Sequence, residues 1–176
     1  MMRRGKKVFV TAEQLEAICR QHETPFYIYD EAGIRESARK LRNAFSWNRG
    51  FREYFAVKAC ANPFILRMLQ EEGCGADCSS YTELMLADKM GFRGDDIMFS
   101  SNVTPGADFS YARKLEATIN LDDITHIDTL AENGGIPECV CLRYNPGGSF
   151  SISGAIMGEP GESKYGMTRK QLTEAI

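Results

Sequence analysis

Apolar and polar positions along the chain follow two periods. From Asp30 to Phe45 the apolar residues Ile34, Ala38, Leu41 and Phe45 recur at the spacing of one helix face. Asp30 is placed to cap that helix. Thr11 with Gln14 forms a capping-box pattern ahead of Leu15 and Ile18, and Ser80 with Glu83 and Thr168 with Gln171 repeat it. Asn62-Pro63 opens a further helix that Gly73 can close, and Gly91 stops the one begun at Ser80. Thr104-Pro105 opens the next. Asp122 or Asp123 begins another, which ends at Asn133-Gly134-Gly135.

Short apolar runs lie between these helices: Tyr54–Val57, Ala76–Cys78, Ile97–Ser100, Ala117–Leu121 and Val140–Tyr144. They recur roughly every 20 residues, the rhythm of βαβ units and a parallel sheet. Their near-continuous apolar character suits strands buried on both faces. Phe26–Tyr29 reads as one more strand-like run, but it precedes a helix and stands outside the rhythm. A closed barrel of this type has eight strands and about 250 residues. The pattern here yields five such strands in 176 residues and stops just inside a capped helix. Two expectations follow from the pattern: an incomplete barrel, or a small open α/β sheet.

Composition narrows the function. The chain has 21 basic and 24 acidic residues, a net charge of -3, and no basic block that would suit nucleic acid. No apolar run approaches the roughly 18 residues needed to span a membrane. The start, MMRRGKKVFV, lacks the apolar core and cleavage site of a secretory signal, so a cytoplasmic location is expected. The six cysteines read as reduced thiols packed as small hydrophobes. Cys139 and Cys141, two apart in a strand-like run, are expected on one face. His22 and His126 lie far apart in sequence and no CxxC pair occurs, so no metal site is expected.

In parallel α/β folds chemistry sits at the C-terminal ends of strands. Lys58 stands at such an end, directly after YFAV. A lysine emerging from apolar packing can lose its proton easily, and the neutral amine is a nucleophile toward carbonyl groups. The bland alternative is a lysine leaving the strand for solvent. Other strand ends carry Asp77, Ser100-Ser101-Asn102, Asn120 with Asp122-Asp123, and Arg143-Tyr144-Asn145. Asp77 could balance a cation, and Arg143 could hold an anionic group through its fork of donors; a cap or structural ion pair explains each equally well. Glu83 is accounted for by its capping box. The Gly- and Ser-rich stretch from Gly147 to Met167 lacks the spacing of a known phosphate loop and reads as a connection over the strand ends, with Lys164 and Tyr165 near its far end.

Five segments in order carry a resemblance: TPFYIYD (Thr24–Asp30), YFAVKACANP (Tyr54–Pro63), GCGADCSSYTEL (Gly73–Leu84), CLRYNPG (Cys141–Gly147) and SKYGM (Ser163–Met167). Together they resemble the diaminopimelate decarboxylase group of fold-type III pyridoxal-phosphate-dependent decarboxylases, with ornithine and arginine decarboxylases as similar relatives. The resemblance implies an alanine racemase-like (β/α)8 TIM-type barrel followed by a β-domain, working as a homodimer. It implies decarboxylation of meso-diaminopimelate to L-lysine with pyridoxal 5'-phosphate as cofactor. Lys58 aligns with the cofactor lysine of the family's YAVKAN motif, Cys60 replacing the asparagine. Asp77 and Glu83 align with acidic residues after the second strand, and Arg143 with an arginine near the cofactor.

On this resemblance residues 1–29 are a helix and a strand that would join the β-domain, and residues 30–176 are the N-terminal portion of the cofactor-binding barrel. The family's ring-stacking histidine, phosphate loop and β-domain residues would lie beyond Ile176. The chain is thus expected to resemble the N-terminal part of the enzyme and to lack decarboxylase activity by itself. Two alternatives stay open: another amino-acid decarboxylase of this fold (for ornithine, arginine or a D-amino acid), and a non-catalytic pyridoxal-phosphate-binding barrel.

Overall fold

The computed structural model describes residues 8–148 and 165–176. Helices α1 (Ala12–Gln21) and α2 (Glu31–Ala44) come first. Strand and helix then alternate: β1 (Tyr54–Ala56), α3 (Pro63–Glu71), β2 (Gly75–Cys78), α4 (Tyr81–Met90), β3 (Ile97–Phe99), α5 (Gly106–Lys114), β4 (Thr118–Leu121), α6 (His126–Asn133), β5 (Cys141–Leu142) and α7 (Arg169–Ala175). The strands pair in parallel in the order β1-β2-β3-β4-β5. A doubly wound sheet reverses its order at a switch point; here every new strand joins beyond its predecessor, which is the winding of a barrel. The fold is an α/β arc of the (β/α)8 TIM-type barrel.

The pleat explains the two faces of this arc. Ala76, Cys78, Ile97, Phe99, Ile119 and Leu121 point to one side and are buried against α4, α5 and α6, whose Leu84, Phe109 and Leu130 complete the core. Ala56, Asp77, Met98 and Thr118 pair across the strands on the opposite side and are half-buried. Burial pushes the Tyr54 phenol up; Arg52 opposes this, and Asp95, Asp96 and Cys141 add to it.

Most sequence-derived element starts hold. Thr11–Gln14 and Thr168–Gln171 are complete capping boxes, Asp30, Asn62 and Ser80 cap α2, α3 and α4, and Gly91 ends α4 in the left-handed conformation. Four expectations change. The α5 helix starts after Pro105, whose extended backbone forms the cap, and the Thr104 hydroxyl stays buried without a partner among the described residues. The α6 helix begins at His126, because Asp123 is taken up by a tight turn that accepts from the Thr125 N–H at 2.9 Å and its hydroxyl at 2.6 Å. The fifth strand covers Cys141–Leu142 only, so Cys139 is exposed ahead of it while Cys141 is half-buried within it. Phe26–Tyr29 is extended but pairs with no strand among the described residues, and Tyr27 is exposed.

The cysteines divide likewise. Cys74 and Cys78 are core thiols, whereas Cys19 and Cys139 are exposed and do not fit the packed-thiol expectation. Burial, with Glu83 and Asp77 adding to it, pushes the Cys78 thiol up to about 12, which keeps it protonated and inert.

An arginine cluster joins α2 to the barrel arc. The Glu72 carboxylate at the end of α3 accepts from Arg39 Nη2 at 2.6 Å, Arg39 Nε at 2.7 Å and Arg35 Nη1 at 3.3 Å. Arg42 donates to the Glu72 carbonyl at 2.7 Å. The bonds from Arg39, and then those from Arg35, hold the Glu72 carboxyl below the usual carboxylate range despite its burial. A depressed folded-state pKa contributes stability that is present above the unfolded value and lost as pH falls through the folded one. Glu72→Gln is therefore expected to lower the melting temperature at pH 7, with the gap to the parent closing below about pH 4. Melting curves of the two proteins across pH 3–7 check this; a gap that stays constant over that range contradicts it.

Candidate functional site

Because all five strands run the same way, their C-terminal ends lie on one side of the arc. Lys58 follows β1 in a single 3-10 turn, Val57–Ala59. Val57 is fully buried and anchors the turn on one side. On the other side the Asn62 side chain accepts from the Phe64 N–H at 3.0 Å and fixes the start of α3. Between these two anchors Lys58 is exposed. The Cys60 thiol reaches the Tyr29 hydroxyl at 3.9 Å, so the extended Phe26–Tyr29 segment lies beside the Lys58 turn.

Asp77 is on the half-buried face of β2, near the C-terminal end of that strand. Its carboxylate accepts from the Ser100 hydroxyl one residue beyond β3. Glu83 departs from the capping-box expectation in part. The Ser80 hydroxyl does accept from the Glu83 N–H at 3.4 Å, but the Glu83 carboxylate reaches one residue further back, to the Ser79 N–H at 2.9 Å, and also takes the Ser80 hydroxyl at 3.2 Å. It serves the turn between β2 and α4.

Arg143 follows β5 directly and is the most elaborately held of the three expected site residues. Its Nη1 donates to Asp122 Oδ1 at 2.9 Å, and Asp122 is only 2% exposed. Its guanidinium carbon lies 4.9 Å from the centre of the Tyr165 ring. The backbone is fixed on both sides. The Arg143 N–H donates to the Leu121 carbonyl at 3.0 Å, and its carbonyl accepts from the Met167 N–H at 2.7 Å. Met167 is fully buried, so the Tyr165–Met167 segment docks beside β5 through a parallel bridge between Tyr144 and Met167. Lys164 and the rest of the Gly- and Ser-rich connection, residues 149–164, lie outside the described residues.

Each expected site residue thus sits at a strand end, and three partners were not foreseen: Ser100 for Asp77, and Asp122 and Tyr165 for Arg143. Each was visible in the sequence only as a polar residue next to a strand. Among the described residues no three of His, Cys, Asp and Glu gather to hold a metal ion. No described helix is long and apolar enough to cross a membrane.

An open parallel arc wound without a switch point defines a barrel-type α/β domain. The chain belongs to the pyridoxal-dependent decarboxylase family, whose pyridoxal binding domain matches residues 31–176, and its cofactor is pyridoxal phosphate. It is 38% identical to Protein TabA of Pseudomonas amygdali pv. tabaci over 161 residues, 92% of this chain and 37% of that protein. It is 31% identical to the diaminopimelate decarboxylase of Helicobacter pylori over 163 residues, 90% of this chain and 40% of that protein. The crystal structure of the Helicobacter pylori enzyme complexed with L-lysine superimposes with a TM-score of 0.79 at 29% identity, covering 92% of this chain and 42% of that one. The chain therefore spans about two fifths of the length of the curated relatives it matches.

Proposed function

We propose that this chain forms part of the cofactor site of a pyridoxal-phosphate-dependent amino-acid decarboxylase, and that the whole enzyme converts meso-diaminopimelate to L-lysine. The observation that carries this reading is Lys58, exposed at the end of β1 between two fixed points of backbone. A phosphorylated aldehyde requires an accessible amine and donors for its oxygens. Lys58 and Arg143 fit that requirement, and both follow the C-terminal ends of strands in one parallel sheet. When bound, pyridoxal phosphate supplies an electron sink for the electron pair left by departing carbon dioxide.

The chain's own residues divide the remaining tasks. Lys58 would hold the cofactor through Nζ. Asp77, fixed by Ser100, places a carboxylate on the half-buried face where a cationic ring or substrate amine can lie. Arg143 offers guanidinium donors to an anionic group. A different amino-acid substrate is the second reading, favoured by the identity to TabA exceeding that to the diaminopimelate decarboxylase, 38% against 31%.

A substrate panel decides between the two. Carbon dioxide released by the full-length protein from meso-diaminopimelate, ornithine, arginine, lysine and D-amino acids is expected to be fastest with meso-diaminopimelate. Preference for another member establishes the second reading. No release from any of them, with pyridoxal phosphate bound, leaves a non-catalytic cofactor-binding barrel.

A further inference from the structure

We infer that Asp122 is a positioning residue that sets the direction of the Arg143 guanidinium, and that it does so by joining three separate stretches of chain. This rests on the reading of Arg143 as a cofactor-site residue. Asp122 is the first residue after β4, and sequence pattern assigned it to a helix start. The structure gives it a different part. Its side chain is 2% exposed and uses both oxygens: Oδ1 accepts from Arg143 Nη1 at 2.9 Å and Oδ2 accepts from the Gly166 N–H at 3.3 Å. The end of β4, the end of β5 and the docked Tyr165–Met167 segment therefore meet at one buried carboxylate.

The physical case follows from what a buried carboxylate requires. Removed from water, it is tolerated only when paired and hydrogen-bonded. The pair cancels in charge, so Arg143 does not act as a free positive charge. It acts as an aimed fork: one donor is committed to Asp122, the guanidinium carbon lies over the Tyr165 ring, and 36% of the side chain stays exposed. An unbraced arginine would have to give up rotamer freedom on meeting an anion; here that ordering is already done by the protein. Gly166 is fitted to the same arrangement. Its φ is +80°, and a Cβ there would stand 3.1 Å from the Arg143 carbonyl oxygen, so the segment approaches Arg143 as only glycine allows.

The test uses Asp122→Asn, Arg143→Ala and the double variant of the full-length protein, titrated with pyridoxal phosphate. Asp122→Asn keeps the shape and removes the charge. It is expected to weaken cofactor binding about tenfold in the parent background and to add nothing once Arg143 is alanine. The second readout needs no cofactor. The guanidinium nitrogen resonances of Arg143, distinct in the parent, collapse toward those of free arginines in Asp122→Asn. An unchanged Arg143 signal in Asp122→Asn overturns the inference, as does an equal loss of affinity with and without Arg143. If Arg143→Ala binds cofactor as the parent does, the reading of Arg143 fails, while a collapsed signal still supports positioning by Asp122. Should Asp122→Asn not fold, Asp122→Glu keeps the charge and shifts the carboxylate by one methylene. It is expected to move the Arg143 signals and to weaken binding about threefold through Arg143 alone, and unaltered binding and unaltered Arg143 signals together overturn the inference.

Discussion

Lys58→Ala is expected to remove covalently attached pyridoxal phosphate altogether and to leave the fold as it was. The two halves of this result have separate physical causes. The side chain is exposed, and the turn that presents it is held by the burial of Val57 and the backbone bond from the Cys60 N–H to the Val57 carbonyl at 3.1 Å. Neither depends on the lysine side chain. Surface substitutions of this kind fall within about 0.5 kcal/mol, which for a chain of this size is about 1–2 °C in melting temperature. Attachment, by contrast, requires a primary amine at that position, and alanine has none. The check is the visible absorbance of the bound cofactor beside a melting curve. Retained absorbance removes Lys58 from the site, and a collapsed melting curve removes the argument that the turn is independent of it.

Phe99→Ala is expected to do the reverse, taking down the fold and the site with it. Phe99 is fully buried at the end of β3 and meets the edge of Phe109 on α5 with ring centres 6.0 Å apart. Truncation of a buried phenylalanine costs about 3–5 kcal/mol through lost transfer and an unfilled cavity. Against a typical total stability of about 5–15 kcal/mol this is a large share, and it corresponds to a fall of about 6–20 °C. Ser100 is the next residue, so the support of Asp77 moves with the strand. Chemical denaturation of the variant and parent measures the loss; a change under about 1 kcal/mol would show that the core re-forms around the gap.

These two residues also show what the sequence could and could not disclose. Capping residues at Thr11, Asp30, Asn62, Ser80 and Thr168 were readable because a cap is settled within three or four residues of chain. The strand rhythm was readable because burial on one face and helices between strands leave a repeating pattern. Lys58, Asp77 and Arg143 were legible as strand-end residues, and the proposal that ties them to a cofactor came from neighbouring motifs in order.

What was hidden depends on pairing across the sheet. Asp122 has the chemistry of a cap and stands where a cap would stand; only the arrival of Arg143 from 21 residues away makes it a buried ion-pair partner. Tyr165 and Met167 lay in what read as loop, although Met167 is fully buried and hydrogen-bonds to Arg143 and Asn145. The fifth strand proved shorter than its apolar run, because Arg143 onward pairs with the docked segment instead of extending a regular strand. Phe26–Tyr29 has the composition of a strand, yet pairing is supplied by a neighbour, and composition cannot name one.

Reductive trapping tests the central claim most directly. The protein is incubated with pyridoxal phosphate, treated with borohydride, digested, and each lysine-containing peptide is weighed. The account predicts one pyridoxyl addition, on the peptide that carries Lys58. Label found on another lysine such as Lys89 or Lys114 with Lys58 unmodified, or no label at all at saturating cofactor, contradicts it.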